Sequence, residues 1–129
     1  MSFNKNMRVV IVDDYNTMLR ILRNLLKQLE IDNVEEAPDG DTAFRLMMRA
    51  RPDLIISDWN MAPMTGYDLL KKVRAEATLR HIPFIMVTAE SKTENVIAAK
   101  QAGVSNYIVK PFNAETLRAK IASVFAAAV

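Results

Sequence analysis

Five short apolar runs rich in β-branched residues punctuate the chain at fairly even intervals: Val9-Val10-Ile11-Val12, Val34 to Ala37, Leu54-Ile55-Ile56, Phe84-Ile85-Met86-Val87 and Tyr107-Ile108-Val109. The first, third and fourth are almost unbroken, the pattern of strands buried on both faces of a parallel sheet. The segments between them carry helical periodicity. Met18, Leu22, Leu25, Leu26 and Leu29 share one face of the first, and Ala43, Leu46, Met47 and Ala50 share one face of the second. Leu117, Ile121, Val124 and Phe125 repeat the pattern in the last. Asn16, Asp39 and Asn113 are candidate N-caps, Gly103 a candidate stop for the fourth helix, and Pro83 marks the start of the fourth strand. Five alternations of strand and helix predict a doubly wound α/β sandwich, because parallel strands require right-handed helical crossovers.

With 129 residues the expectation is one domain spanning 1–129, too short to add a separate output domain. Any output must then come from the domain's own surface. Half the residues are apolar and a quarter charged, and no apolar run approaches the roughly 18 residues of a membrane span. The segment Met1 to Asn6 lacks the apolar core of a signal peptide, and there is no cysteine for disulfides or thiolate metal sites. These features lead us to expect a soluble, cytoplasmic monomer without membrane contact. The net charge of +2 comes from basic residues scattered along the chain, including Arg20, Arg23, Lys71, Lys72 and Lys120. With no basic stripe, nucleic acid is not an expected partner.

Ligands of open α/β sheets bind beyond the carboxyl ends of the strands, and if the strand order is 2-1-3-4-5, strands one, three, four and five are neighbours. Their ends run into Asp13-Asp14, Ser57-Asp58, Thr88 and Lys110-Pro111. Alone, an Asp-Asp pair is a turn or capping feature, a Thr an ordinary turn hydroxyl and a Lys a solvated charge. Together they describe a site. Three crowded carboxylates raise one another's pKa values unless a cation sits among them, and oxygen ligands select a hard ion such as Mg²⁺, which leaves room for phosphate oxygens. Asp58, alone at the end of the central strand, is the best nucleophile. Lys110 can neutralise a phosphoryl oxygen and Thr88 can donate to another, and such positioning is most of what phosphoryl transfer asks of a protein. Pro111 also permits a cis bond after Lys110.

The blocks Val12-Asp13-Asp14, Ser57-Asp58-Trp59-Asn60-Met61, Met86-Val87-Thr88-Ala89-Glu90 and Tyr107-Ile108-Val109-Lys110-Pro111-Phe112 resemble the response-regulator receiver family over essentially the whole chain. Within that family, Asp58-Trp59-Asn60-Met61, Thr88-Ala89-Glu90 and Ala102 to Tyr107 look most like chemotaxis regulators that bind the flagellar motor switch. The resemblance implies a single-domain flavodoxin-like (βα)5 sandwich. It implies that Asp13, Asp14 and Asp58, with the backbone carbonyl of Asn60, surround Mg²⁺, and that Asp58 takes phosphate from a phosphohistidine on a chemotaxis histidine kinase. Thr88 and Lys110 would hold the phosphoryl oxygens, and Tyr107 would be the switch aromatic. Asn60 and Glu90 would tune the attack of water on the acyl phosphate, and a phosphatase is a further possible partner. Ser91, Lys92, Thr93, Val96, Tyr107 and Lys120 would form the surface that meets the motor-switch protein. A phosphate sink or a relay intermediate would share the same site, so those two readings stay open beside the motor effector.

Ala62-Pro63, Thr65 and Pro38 depart from the family pattern and bear on loop geometry and partner choice. A flavin carrier would need a Ser/Thr/Gly-rich first loop, where this chain has Asp13-Asp14-Tyr15-Asn16-Thr17. A haloacid-dehalogenase-type phosphatase would need a carboxylate where Asn60 stands, so a signalling switch is expected rather than a turnover enzyme. His81 reads as an exposed linker residue, and the eight methionines, Met47, Met48 and Met64 among them, as flexible core filling.

Overall fold

The computed structural model describes residues 6–89 and 93–127. Ten elements alternate without exception: β1 (Val9–Val12), α1 (Asn16–Gln28), β2 (Val34–Ala37), α2 (Gly40–Arg49), β3 (Leu54–Asp58), α3 (Gly66–Ala75), β4 (Phe84–Thr88), α4 (Thr93–Gln101), β5 (Asn106–Val109) and α5 (Ala114–Ala127). The strands form one parallel sheet in the expected order β2-β1-β3-β4-β5.

The alternation of side chains along each strand splits the core into two layers. Val9, Ile11, Ile56, Ile85 and Ile108 meet Leu19, Leu22 and Leu26 of α1 and Leu117, Ile121 and Val124 of α5 on one face. Val10, Val12, Ile55, Phe84 and Met86 meet Ala43 and Met47 of α2 and Leu69, Leu70 and Val73 of α3 on the other. Each fully buried Val, Leu or Ile contributes about 1.5–3 kcal/mol relative to exposure, so both faces of the sheet hold it closed.

Local signals fared unevenly. Asp39 caps α2, its carboxylate accepting from Thr42 N at 2.7 Å, and Asn113 caps α5, accepting from Thr116 N at 2.8 Å. Asn16 is not a cap. It is the first helical residue of α1, Tyr15 holds the cap position without a side-chain bond, and Asp13 Oδ1 accepts from Tyr15 N at 3.0 Å. Gly103, with φ of 94°, follows the end of α4 in the left-handed region where a Cβ is disfavoured. Ala50 and Met48 leave the core, Ala50 because it is the extended C-cap of α2 and Met48 because it lies on the outer side of that helix, half exposed. His81 is exposed in a turn, as expected.

Candidate functional site

Each of the four neighbouring strands ends on a polar residue that the sheet itself places. Asp13 follows β1 directly, Asp58 is the last residue of β3, Thr88 the last of β4, and Lys110 follows β5. The register pairs Val12 with Ser57, Asp58 with Val87 and Thr88 with Val109, so these ends lie level across the sheet. Lys110 N donates to the Thr88 carbonyl at 2.8 Å, which ties the last two ends together. The bond between Lys110 and Pro111 is cis, as is that between Ala62 and Pro63.

At this edge Asp13, Asp14 and Asp58 each offer one carboxylate oxygen within 4.8 Å of the others. Asp13 and Asp58 are buried, at 1% and 5% exposure, whereas Asp14 is open to solvent. Lys110 Nζ pairs with Asp58 Oδ1 at 2.9 Å and approaches Asp13 Oδ2 at 3.9 Å. That second distance is too long for a hydrogen bond, and Asp13 Oδ2 is buried with no hydrogen-bond partner. Burial, reinforced by the nearby carboxylates of Asp58 and Asp14, pushes the Asp13 acid up to about 6, against the amide of Tyr15 and the charge of Lys110. An orphaned anionic oxygen beside two more carboxylates is short of positive charge. The donor set, all oxygen and partly open to water, fits a hard divalent cation such as Mg²⁺.

Asn60 lies exposed two residues beyond Asp58, in the loop to α3. Tyr107 is half buried on β5, and it lines a narrow cavity together with Thr88, Trp59, Met86, Val96 and Ala99. Lys120 Nζ sits 5.5 Å from the Tyr107 ring centre and 3.4 Å from Asn106 Oδ1. Val96, Tyr107 and Lys120 therefore share one region of the surface. Glu90, Ser91 and Lys92 lie outside the described residues, as does the side chain of Thr93, which opens α4.

Two features around Asp58 escaped the reading of the sequence. Thr65 caps α3 in a reciprocal box, its hydroxyl accepting from Asp68 N at 3.1 Å while Asp68 Oδ2 accepts from Thr65 N at 3.2 Å. The spacing Thr65-Gly66-Tyr67-Asp68 carries that signal. The indole of Trp59 stacks on Tyr67 with ring centres 5.5 Å apart and planes 9° from parallel, and Lys71 Nζ lies over the Tyr67 ring at 4.5 Å from its centre. No local pattern announces a stack between a loop and a helix.

Residues 9–122 match the response regulator receiver domain. The chain is 51% identical over 122 residues to the chemotaxis protein CheY-3 of Vibrio cholerae, covering 95% of this chain and 94% of that protein. It is 50% identical over 119 residues to the chemotaxis protein CheY of Pseudomonas aeruginosa, covering 92% and 96%. Among solved structures, the chemotaxis protein CheY4 of Vibrio cholerae superposes with a TM-score of 0.87 at 35% identity, covering 92% of this chain and 98% of that one. The receiver domain of a signal transduction histidine kinase from Syntrophus aciditrophicus superposes with a TM-score of 0.84 at 30% identity, covering 94% and 91%. With its fold, its strand-end residues and its relatives in agreement, this chain belongs to the response regulator receiver domain family and is closely related to the CheY chemotaxis regulators.

Proposed function

We propose that this chain is a cytoplasmic chemotaxis response regulator that accepts a phosphoryl group on Asp58 and, when phosphorylated, binds the flagellar motor switch. The observation that carries the reading is the convergence on one sheet edge of Asp13, Asp14 and Asp58, with Lys110 Nζ 2.9 Å from Asp58 Oδ1. Asp13, Asp14, Asp58 and the Asn60 backbone carbonyl would hold Mg²⁺. When bound, the ion compensates charge among the carboxylates and on the phosphoryl oxygens.

In the proposed transfer an Asp58 carboxylate oxygen attacks the phosphorus of a phosphohistidine on a partner kinase. A P–O bond forms as the P–N bond breaks, and the imidazole leaves with the bonding electrons. Lys110 exchanges its bond to the carboxylate for one to a phosphoryl oxygen, and the Thr88 hydroxyl donates to another. A phosphoryl group adds nearly two negative charges at this sheet edge, enough to shift a two-state equilibrium whose states bond to it differently. As Thr88 is drawn towards it, Tyr107 turns into the adjoining cavity, and the surface of α4, β5 and α5 around Val96, Tyr107 and Lys120 changes its affinity for the target. The proposed target-binding set also includes Ser91, Lys92 and Thr93. Asn60 and Glu90 would tune attack by water, alone or with a phosphatase. The protein acts as a signalling switch rather than a turnover enzyme.

The test is a titration with a motor-switch peptide in the presence and absence of beryllofluoride and Mg²⁺. A phosphoryl mimic that raises peptide affinity supports the effector reading. No gain in affinity, with the mimic bound, would overturn it in favour of a phosphate sink or a relay intermediate.

A further inference from the structure

Two buried glycines open neighbouring helices, Gly40 in α2 and Gly66 in α3, yet their surroundings differ. A Cβ on Gly40 would stand 2.6 Å from Sδ of Met64, the far end of a flexible side chain that can rotate away. A Cβ on Gly66 would stand 2.1 Å from the backbone oxygen of Asp58 and 3.0 Å from its carbonyl carbon. Backbone held in a central strand has no comparable escape. The amide of Gly66 also donates to the Trp59 carbonyl at 2.8 Å.

The Asp58 carbonyl is held from a second direction. Ser57, fully buried, donates its hydroxyl to that oxygen at 3.0 Å. Its strand partners are Val12 and Met86, so the hydroxyl sits in an otherwise apolar layer. The next amide, Trp59 N, donates to Val87 O at 2.9 Å. Both peptides that lead from Asp58 to Asn60 are therefore fixed, the first by Ser57, β4 and the bare Cα of Gly66, the second by the Gly66 amide.

We infer that Gly66 and Ser57 are positioning residues for the acceptor site, setting the path of the chain from Asp58 and hence the approach of Asn60, whose carbonyl would join the Asp13 and Asp14 carboxylates. The inference rests on the divalent-cation role proposed for that set. Magnesium demands near-ideal octahedral geometry. A methyl group on Gly66 must drive the Asp58 carbonyl back by about 1 Å to reach an ordinary contact, a displacement that carries into the next peptide.

The experiment titrates Mg²⁺ against Trp59 emission in the wild type, Gly66→Ala, Ser57→Ala and Gly40→Ala, and records the thermal midpoint of each without metal. The Mg²⁺ Kd is expected to rise about tenfold or more in Gly66→Ala and about threefold in Ser57→Ala, with Gly40→Ala at the wild-type value. A merely structural role would lower the midpoint and leave the Kd unchanged. Folded Gly66→Ala with wild-type affinity overturns the inference. Should that variant fail to fold, an unchanged Kd in Ser57→Ala overturns it and a raised one supports it. A wild type that does not respond to Mg²⁺ would overturn the cation reading itself, and this inference with it.

Discussion

Lys110 Nζ sits 2.9 Å from Asp58 Oδ1, at the meeting of two strand ends that are 52 residues apart in the chain. The same ammonium stands 3.9 Å from Asp13 Oδ2 and so acts as the resident cation of an acidic cluster. Lys110→Ala is expected to leave some phosphorylation by acetyl phosphate while weakening target binding by the phosphorylated form. Removing this competing positive charge should also tighten Mg²⁺ several-fold. Normal target binding in the phosphorylated variant would contradict the role given to Lys110.

Asp13 ties stability to pH. Its acid is raised from 3.8 to about 6 by burial, so the native state prefers it protonated. That contribution is complete below about pH 4 and is lost as pH rises through 6, to a total of about 3 kcal/mol. Asp13→Asn should therefore be more stable than the wild type at pH 7.5 in EDTA by about 1–3 kcal/mol, with the difference vanishing near pH 4. Thermal unfolding of both proteins at the two pH values checks it, and an equal difference at both would contradict the assignment. Mg²⁺ should stabilise the wild type at pH 7.5 far more than at pH 5, because protons compete for the same oxygens.

Thr65 separates capping from chemistry. Thr65→Ala removes the hydroxyl that accepts from Asp68 N and should cost about 1 kcal/mol, a fall of a few degrees in Tm. Mg²⁺ affinity should stay within twofold of wild type. A large loss of affinity would mean that the cap also shapes the loop from Asp58.

The fold was legible because strands buried on both faces must read as unbroken apolar runs, and Val9–Val12 and Phe84–Val87 do so. The strand ends were legible for the opposite reason: polar residues terminating such runs stand out. Strand lengths were less so. Ser57, Asp58 and Thr88 continue the ladders because backbone hydrogen bonding is indifferent to side-chain polarity. The face of α1 was read through Met18, while Leu19 lies deeper, at 3% exposure, because the helix axis sets which of two adjacent apolar residues points inward. The contacts around Asp58 stayed hidden where they depend on tertiary approach, as in the stack of Trp59 on Tyr67 and the fit of Gly66 against the Asp58 carbonyl.

The central claim is that Asp58 accepts the phosphoryl group with help from a divalent cation. Intact-protein mass spectrometry after incubation with acetyl phosphate tests it directly, on the wild type and on Asp58→Asn, each with Mg²⁺ and with EDTA. The account predicts the added mass of a single phosphoryl group on the wild type with Mg²⁺, its loss in EDTA and its absence from Asp58→Asn under both conditions. The same addition on Asp58→Asn, or full modification of the wild type in EDTA, would contradict it.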